Sequence, residues 1–179
     1  KPFNLLDWEK QTLLELFEVL PDPTFPGGWR RRYRWCLIGV PKKNGKTELM
    51  AALGLYFLIA DDEGAPLIIC AAASDEQADL LFTACYRMCE LSETLSQITD
   101  VRAKEILVIN KVGAELKRVA ASAGTNDGKN IHANLLDELH EWVRGKGDRV
   151  YNVLTNGTGA RKQPMNCLIT TAGSDEDTI

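Results

Sequence analysis

The sequence lacks features that would mark several classes of protein. It has only two histidines, His132 and His140, which argues against a histidine-built zinc site. It also lacks a run of about 18 apolar residues, and the longest candidate, residues 49–60, is too short to cross a bilayer. No signal-peptide pattern, internal repeat or low-complexity segment is visible. We therefore expect a chain that does not enter a membrane.

Positive charge is also scarce, since 21 Lys and Arg stand against 25 Asp and Glu, for a net charge of −4. The chain as a whole is therefore not drawn to nucleic acid, and any such contact must be local. The arginines of residues 30–34 are the candidates, although a solvated basic lead-in to a strand is the favoured interpretation.

Cysteine is present in an odd number, five, in a chain long enough to fold without disulfides, which indicates reduced thiols. Cys85 and Cys89 are one helical turn apart, but no second pair of ligands accompanies them. Core packing is therefore the favoured interpretation of this pair, rather than a metal site.

Hydrophobic periodicity predicts one α/β domain. With 179 residues, 45% of them hydrophobic, the chain can bury a single core. Helical patterns cover residues 6–20 and 46–60, and a third helix runs to about residue 91 behind a Ser74/Gln77 capping box. Strand patterns cover residues 33–39, 67–73, 105–110, 114–121, 133–136 and 166–172, the third and fourth forming a hairpin or two adjacent strands.

Alternating strands and helices predict a mainly parallel sheet flanked by helices. In such sheets ligands bind at the carboxyl ends of the strands. The loops that follow Gly39, Ala73, Leu136 and Ala172 are therefore expected at one edge of the sheet.

Residues 39–47 (GVPKKNGKT) connect a predicted strand to a predicted helix, as a phosphate-binding loop requires. Backbone N–H groups would cradle the phosphates, Lys46 would reach the β- and γ-phosphates, and Thr47 would ligate Mg²⁺. The first glycine of the usual pattern falls at Val40, one residue after Gly39. The alternative is a lysine-rich surface turn in which Gly45 supplies a positive φ angle.

About ninety residues later, the apolar run Leu135-Leu136 ends in Asp137-Glu138. An Asp at a strand tip can hold Mg²⁺, and the neighbouring Glu can orient and deprotonate the attacking water. The alternative is a solvated acidic cap on a helix. Together with the loop, this pair predicts Mg-ATP hydrolysis with Lys46 and Glu138 as the catalytic residues.

These motifs resemble the large terminase subunits of tailed bacteriophages, which are DNA-packaging motors. The likeness rests on residues 41–47 (PKKNGKT), 127–130 (DGKN), 137–142 (DELHEW) and 170–173 (TTAG). Each motif is short, but their order and spacing together are fairly specific. The resemblance implies a P-loop NTPase of the RecA-like, ASCE class, with ATP and Mg²⁺ as ligands.

The resemblance also implies roles for individual residues. Lys42, Lys43, Asn44, Gly45, Lys46 and Thr47 would form the nucleotide loop, with Thr47 and Asp137 at the metal and Glu138 as catalytic carboxylate. Thr170, Thr171 and Gly173 would couple hydrolysis to movement. Trp8 and Gln11 would contact adenine, or else be a packed and a solvated helix residue. Lys42 stands where the family often has Arg, and Lys cannot make the bidentate contact.

For the whole protein, the resemblance implies a motor that packages double-stranded DNA into a procapsid. Its partners would be a portal protein and a small terminase subunit, and it would form a homo-oligomeric ring in the cytoplasm of the bacterial host. Residues 1–179 would be the ATPase domain of a longer chain, without the lid and nuclease domain, and this fragment could be monomeric on its own. Arg144, Arg149 and Arg161 are open candidates for a residue that acts on a neighbour's phosphate.

Two other functions are compatible with parts of the sequence. Asp137-Glu138-Leu139-His140 also spells the DExH signature of helicases, but the loop lacks the Gly-x-Gly-Lys-Thr form expected there. A nucleotide-binding module without hydrolysis is the third possibility, in which saturable binding would occur without turnover.

Overall fold

The structure is a computed structural model that describes residues 4–120, 128–142 and 145–171. These residues form five α-helices and nine strands. The helices are α1 (Asp7–Leu16), α2 (Lys46–Ile59), α3 (Asp75–Leu91), α4 (Glu93–Ile98) and α5 (Lys146–Asn156). The strands are β1 (Val19–Pro21), β2 (Trp29–Arg31), β3 (Trp35–Gly39), β4 (Leu67–Ala72), β5 (Thr99–Val101), β6 (Glu105–Val108), β7 (Glu115–Ala120), β8 (Ala133–Asp137) and β9 (Met165–Thr170).

Seven strands form one sheet in the order β3-β9-β8-β4-β7-β6-β5. The first five are parallel, whereas β6 pairs antiparallel with β7, and β5 antiparallel with β6. Every residue of the central strand β4 is buried, as expected for a parallel strand covered on both faces. The predicted α/β fold with a mainly parallel sheet is confirmed. Of the two alternatives for the third and fourth predicted strands, the structure has the hairpin, β6–β7.

Strand β9 lies between β3 and β8 and pairs with both in parallel. Its register places Thr170 beside Gly39 on one side and Ile169 beside Asp137 on the other. The carboxyl ends of three strands from distant parts of the sequence therefore meet at one level of one edge. The sheet brings the loop after β3 and the acidic pair after β8 to the two sides of β9.

The two faces of the sheet carry separate hydrophobic clusters. Alternate residues of β4 contribute to each, because successive strand side chains point to opposite faces. Ile68 and Cys70 belong to the larger cluster, with α2 and α3, whereas Ile69 belongs to the smaller one, with Leu154 of α5 and Trp142. Helix α2 has almost no polar face, and its buried residues fill the space between α3 and the sheet.

The N-terminal helix is shorter than predicted. The prediction placed Leu20 on a helix spanning residues 6–20, and this was wrong, because α1 ends at Leu16. Leu20 instead lies in β1, opposite Arg30 of β2 in a small antiparallel sheet. The apolar spacing near Leu20 fits a helix, but pairing with a strand about ten residues later outweighs that local preference.

Four elements, β2, α4, β5 and α5, lie where the sequence patterns predict no regular structure. The six-residue α4 and the three-residue β2 and β5 are too short for periodicity to be visible. Helix α5 is longer and has an apolar face, on which Val150 and Tyr151 pack beside the buried Leu154. The spacing of Val150, Val153 and Leu154 is helical, so this element could have been predicted from the sequence.

No helix within the described ranges is both long and apolar enough to cross a membrane.

All five cysteines are free thiols. Cys85 and Cys89 are fully buried in the larger cluster, which confirms the packing interpretation. Burial raises the pKa of Cys89, which keeps this thiol in its neutral form.

A buried ionic cluster of Arg31, Asp61 and His132 lies at the opposite, amino-terminal edge of the parallel strands. His132 Nε2 is 2.6 Å from Asp61 Oδ2, and Arg31 Nη1 donates to Asp61 Oδ1. Arg31 also stacks over the ring of Phe57, at 5.6 Å from its centroid. The cluster ties the β1–β2 sheet to the end of α2 and the start of β8.

We expect Asp61→Asn to lower the free energy of unfolding by about 3 kcal/mol, because a buried charge pair loses one partner. Asn can still accept a hydrogen bond from the Arg31 guanidinium, but it lacks the negative charge that pairs with this buried cation. Urea unfolding measures the change. Asp62→Asn, at the exposed neighbouring position, is the matched control and should stay within about 0.5 kcal/mol of wild type. Equal unfolding free energies for the two variants would contradict this role of the cluster.

Candidate functional site

The loop between β3 and α2 has the geometry of an anion-binding turn. Lys43 and Gly45 have left-handed backbones, with φ angles of 67° and 76°. The Asn44 side chain donates to the carbonyl oxygen of Pro41 at 3.1 Å, which closes the loop on itself. Gly45 is the residue before α2, so the first N–H groups of that helix point toward the loop without helical partners. Such a helix N-terminus favours phosphate groups.

Helix α1 packs against this loop through Glu9, which sequence reasoning missed. Glu9 is only 2% exposed, and its Oε2 accepts from the backbone N–H of Leu6 at 2.6 Å. Its Oε1 lies 3.0 Å from the point that a Cβ atom on Gly45 would occupy. A glycine is therefore needed at position 45 for two reasons, its positive φ angle and this contact. Nothing in the sequence signals the burial of Glu9, because it sits among charged residues at the start of α1.

Lys46 and Glu138, which are 92 residues apart, form an ion pair in which Lys46 Nζ donates to Glu138 Oε1. Lys46 is only 8% exposed, whereas Lys42 and Lys43 of the same loop are exposed. Among the loop lysines, the buried one is therefore the one that reaches the acidic pair. This contact joins the two motifs that the sequence placed far apart.

Asp137 and Glu138 lie in different electrostatic environments. Burial raises the pKa of Asp137 to about 6, with the charge of Glu138 adding to the rise and that of Lys46 opposing it. Burial also pushes the pKa of Glu138 upward, but the hydrogen bond and charge of Lys46 outweigh it, so its pKa is lowered. His140 and the backbone N–H of Thr171 contribute to the lowering. Glu138 is thus the better-stabilised anion of the pair in this state.

The backbone at Glu138 is strained, with φ 47° and ψ 55° in the left-handed region. Non-glycine residues in this region cost of order 1 kcal/mol or more and concentrate at functional sites. Two hydrogen bonds hold the turn: the Glu138 N–H donates to Asp137 Oδ1 at 2.9 Å, and Trp142 Nε1 donates to Asp137 O at 3.1 Å. Trp142 is fully buried, so it anchors the acidic pair to the core.

The end of β9 contacts the other oxygen of Glu138. Glu138 Oε2 accepts from the N–H and the hydroxyl of Thr171, both at 3.3 Å, and lies 3.2 Å from His140 Nδ1. Thr170 Oγ1 lies 2.9 Å from the same ring nitrogen. The structure therefore brings Thr170 and Thr171 to the acidic pair, whereas Gly173 lies outside the described residues. His140 was considered only as a metal or helicase residue in the sequence, and its contacts with Glu138 and Thr170 were missed.

Trp8 and Gln11 differ in burial. Trp8 lines a cavity of about 380 Å³ beside the loop, together with Thr12, Glu15 and Val40, the first loop residue. Its Nε1 atom is buried and has no hydrogen-bond partner in the described part of the protein. Gln11 is exposed on α1 and does not line the cavity, but it donates at 2.7 Å to Oε1 of Glu15, which does.

The residues present fit a magnesium ion that is shared with a phosphate. Thr47 is in the first turn of α2, and Asp137 is the last residue of β8, at the same edge of the sheet. The described residues contain no group of three or more His, Cys, Asp or Glu that could hold a metal by themselves. Mg²⁺ is commonly held by one or two carboxylates with waters and phosphate oxygens, so one carboxylate and one hydroxyl suffice.

The arginines that were left open are now distinguished. Arg30 pairs with Asp22, Arg31 with Asp61 and Arg32 with Glu18. The exposed Arg34 donates to the carbonyl oxygen of Lys162 at 3.2 Å. Arg161 donates to the Glu63 carboxylate and to the backbone oxygens of Gly64, Ala65 and Asn130. Its guanidinium is therefore already occupied by hydrogen bonds within its own chain. Arg149 is exposed on α5, and Arg144 lies outside the described residues.

A parallel sheet with a glycine-containing phosphate loop after one strand and an acidic pair after another defines a P-loop NTPase-like domain. Residues 24–179 match the family described as terminase large subunit, ATPase domain. The chain therefore belongs to the terminase large subunit family, as its ATPase domain.

Individual relatives agree with this assignment. The large terminase subunit of Enterobacteria phage HK97 is 29% identical over 146 residues, which are 80% of this chain and 29% of that protein. The crystal structure of the HK97 large terminase superposes with a TM-score of 0.80 at 25% identity, over 99% of this chain and 35% of that one. The chain thus spans about a third of the length of these relatives.

A more distant structure shares the fold. The large terminase ATPase domain of Thermus phage P74-26 has a TM-score of 0.53 at 17% identity, covering 79% of this chain and 60% of that one. The common element is the α/β fold with its mostly parallel sheet.

The raised pKa of Asp137 predicts how stability depends on pH. Because folding disfavours the charged carboxylate, the wild type should lose stability as pH rises from about 4, the ordinary value, through about 6. Asp137→Asn has no carboxylate to ionise and should escape this loss. We expect it to gain about 2 to 3 kcal/mol over the wild type between about pH 4 and pH 7.

Urea unfolding with EDTA and without nucleotide measures the difference between the two proteins at each pH. Asp62→Asn is the control for a change of charge at an exposed position. A difference between Asp137→Asn and wild type that does not change over this range would show that Asp137 titrates normally.

Proposed function

We propose that this domain hydrolyses Mg-ATP and that the hydrolysis drives packaging of double-stranded viral DNA into a procapsid. The observation that carries the proposal is the contact between Lys46 of the loop and Glu138 of the acidic pair. It brings together a cation for the β- and γ-phosphates and a carboxylate for the attacking water. Neither a surface turn nor a helix cap requires these two groups to meet.

Lys46 must change partner in the reaction. Without nucleotide its charge is neutralised by Glu138, at the place where phosphates would enter. When Lys46 turns to the phosphates, Glu138 Oε1 loses its donor and becomes free to accept a proton from water. The same exchange removes the two largest influences that lower the pKa of Glu138, so the carboxylate becomes a stronger base when substrate is bound.

The other residues have supporting roles in this proposal. Thr47 and Asp137 hold Mg²⁺, which neutralises charge on the phosphates. The loop, residues 42–45, supplies backbone N–H groups to the phosphates, since the side chains of Lys42 and Lys43 point to solvent. Trp8, with its unpartnered Nε1, lies against the cavity beside the loop and is the better-placed of the two proposed adenine contacts. Gln11 would have to leave Glu15 to take part.

The motor function is proposed from the family of the chain. The relatives are large terminase subunits about three times as long as this chain. In this setting the partners would be double-stranded DNA, a portal protein and a small terminase subunit, with several copies in a ring in the host cytoplasm. The helicase-like alternative would show itself as turnover that single-stranded nucleic acid stimulates and that portal and procapsid do not.

Two substitutions separate binding from chemistry. We expect Glu138→Gln to bind Mg-ATP at least as tightly as wild type, because the amide no longer competes with the phosphates for Lys46. Its turnover should fall about 100-fold or more, because the amide cannot accept the proton of water. Lys46→Ala should lose both binding and turnover, and Lys162→Ala, which removes an exposed lysine outside the site, should lose neither.

Calorimetry of Mg-ATP binding and steady-state phosphate release give these two quantities for each variant. Binding of Glu138→Gln that weakens as much as its turnover would make Glu138 a structural residue. Unchanged turnover in Lys46→Ala would exclude the phosphate-loop assignment.

If the active form is a ring, turnover per subunit should rise with protein concentration. The physical reason is that an arginine supplied by a neighbouring subunit can contribute about 10³-fold or more to phosphoryl transfer. Phosphate release over a dilution series, with gel filtration on the same samples, tests this. If phosphate release per subunit is fast and stays constant down to concentrations at which the protein is wholly monomeric, one chain holds a complete site.

A further inference from the structure

We propose that His140 is a positioning residue. It holds one carboxylate oxygen of Glu138 in place while the other oxygen accepts a proton from the attacking water. The inference rests on the proposed ATP hydrolysis, and it assigns different tasks to the two oxygens of the same carboxylate. Oε2 is held by His140 and Thr171 at the end of β9, and Oε1 is the oxygen that Lys46 releases.

The contacts of Glu138 divide cleanly between its two oxygens. Oε1 accepts from Lys46, the group that leaves when phosphates arrive. Oε2 accepts from the N–H and hydroxyl of Thr171 at 3.3 Å and lies 3.2 Å from His140 Nδ1. Once Lys46 has moved, only the Oε2 contacts remain to orient the carboxylate. The hydrogen bond of His140 Nδ1 itself goes to Thr170 Oγ1, so the histidine acts on Oε2 by its close contact and charge, beside the two long Thr171 bonds.

His140 is itself fixed at two further points. Its backbone N–H donates to Thr170 Oγ1 at 3.4 Å, and its Nδ1 lies 2.9 Å from the same oxygen. On the far side of the ring, Nε2 lies 3.1 Å from Glu141 Oε1. These contacts restrict the rotamers of the His140 side chain, so its ring stays in place beside Glu138.

The direction of these hydrogen bonds follows from Thr170. Its hydroxyl donates to the carbonyl oxygen of Thr171 at 3.0 Å, so it can only accept from the histidine ring. The other neighbour of Nδ1 is a carboxylate oxygen, which also accepts. His140 Nδ1 therefore carries a proton and donates it to Thr170 Oγ1.

Thr170 connects this arrangement to the phosphate loop. Its carbonyl oxygen accepts from the N–H of Val40, the first loop residue, at 3.2 Å, while its hydroxyl oxygen accepts from His140. One residue at the end of β9 thus contacts both the loop and the residue that holds Glu138. A small shift of the loop on nucleotide binding would reach the catalytic carboxylate through Thr170 and His140.

Three substitutions of His140 test whether the Nδ1 contact matters. The amide nitrogen of Asn can occupy the position of Nδ1, whereas that of Gln corresponds to Nε2. We expect His140→Ala and His140→Gln to lose about 10- to 100-fold in kcat, as misplacement of a catalytic group does. His140→Asn should recover most of this loss. KM for ATP should change little in all three, because the loop and Lys46 are untouched.

Circular dichroism on the same samples separates loss of folding from loss of positioning. Equal kcat for His140→Asn and His140→Gln would overturn the proposal, as would a fall in kcat matched by an equal rise in KM. A wild type without any turnover would instead count against the proposed function.

A second measurement does not depend on turnover. The chain has only two histidines, so the ring nitrogens of His132 and His140 can be assigned in a long-range nitrogen NMR spectrum with one variant. We expect a protonated Nδ1 in His140, and a shift of its signal in Thr170→Val while His132 stays unchanged. An unprotonated Nδ1, or a spectrum that Thr170→Val leaves unaltered, would overturn the proposal whatever the ATPase activity.

Discussion

The parallel pairing of β9 with both β3 and β8 is the constraint on which the site depends. Because β9 lies between them, the phosphate loop after β3 and the acidic pair after β8 are separated by one strand width. That spacing lets the long side chain of Lys46 meet Glu138. It also places Thr170 within reach of the loop on one side and of His140 on the other. A sheet with β3 beside β8 would leave no strand end between the two motifs.

Charge is distributed over the two edges of the sheet in different ways. At the amino edge, Arg31, Asp61 and His132 are buried and paired with one another, which serves to attach the β1–β2 sheet. At the carboxyl edge, Lys46, Asp137 and Glu138 are also mostly buried, but Glu138 has a strained backbone and Asp137 a raised pKa. Strain and an unfavourable charge without substrate are typical of a site arranged for a ligand rather than for stability.

Without nucleotide, two charged groups of the site, Lys46 and Glu138, pair with each other and neutralise each other. In the proposed function, phosphates would have to displace a carboxylate to reach the lysine. Binding and activation of the base would then be one event, because the lysine that would go to the phosphates is the one that lowers the pKa of Glu138. The contacts of Oε2 would keep the freed carboxylate oriented.

The sequence by itself determined the class of fold, the loop, and the acidic pair, because these depend on periodicity and on short motifs whose residue types have few other uses. It also indicated that Thr170 and Thr171 belong with them. Only the tertiary structure decided which oxygen of Glu138 meets Lys46, that His140 and Glu9 face the site, and that Trp8 lines the cavity while Gln11 is exposed and bonded to Glu15. These facts depend on side chains brought together by non-adjacent elements, α1 against the loop and the end of β9 against β8. Local sequence carries no record of such contacts, because burial and hydrogen-bond partners arise only when the sheet assembles.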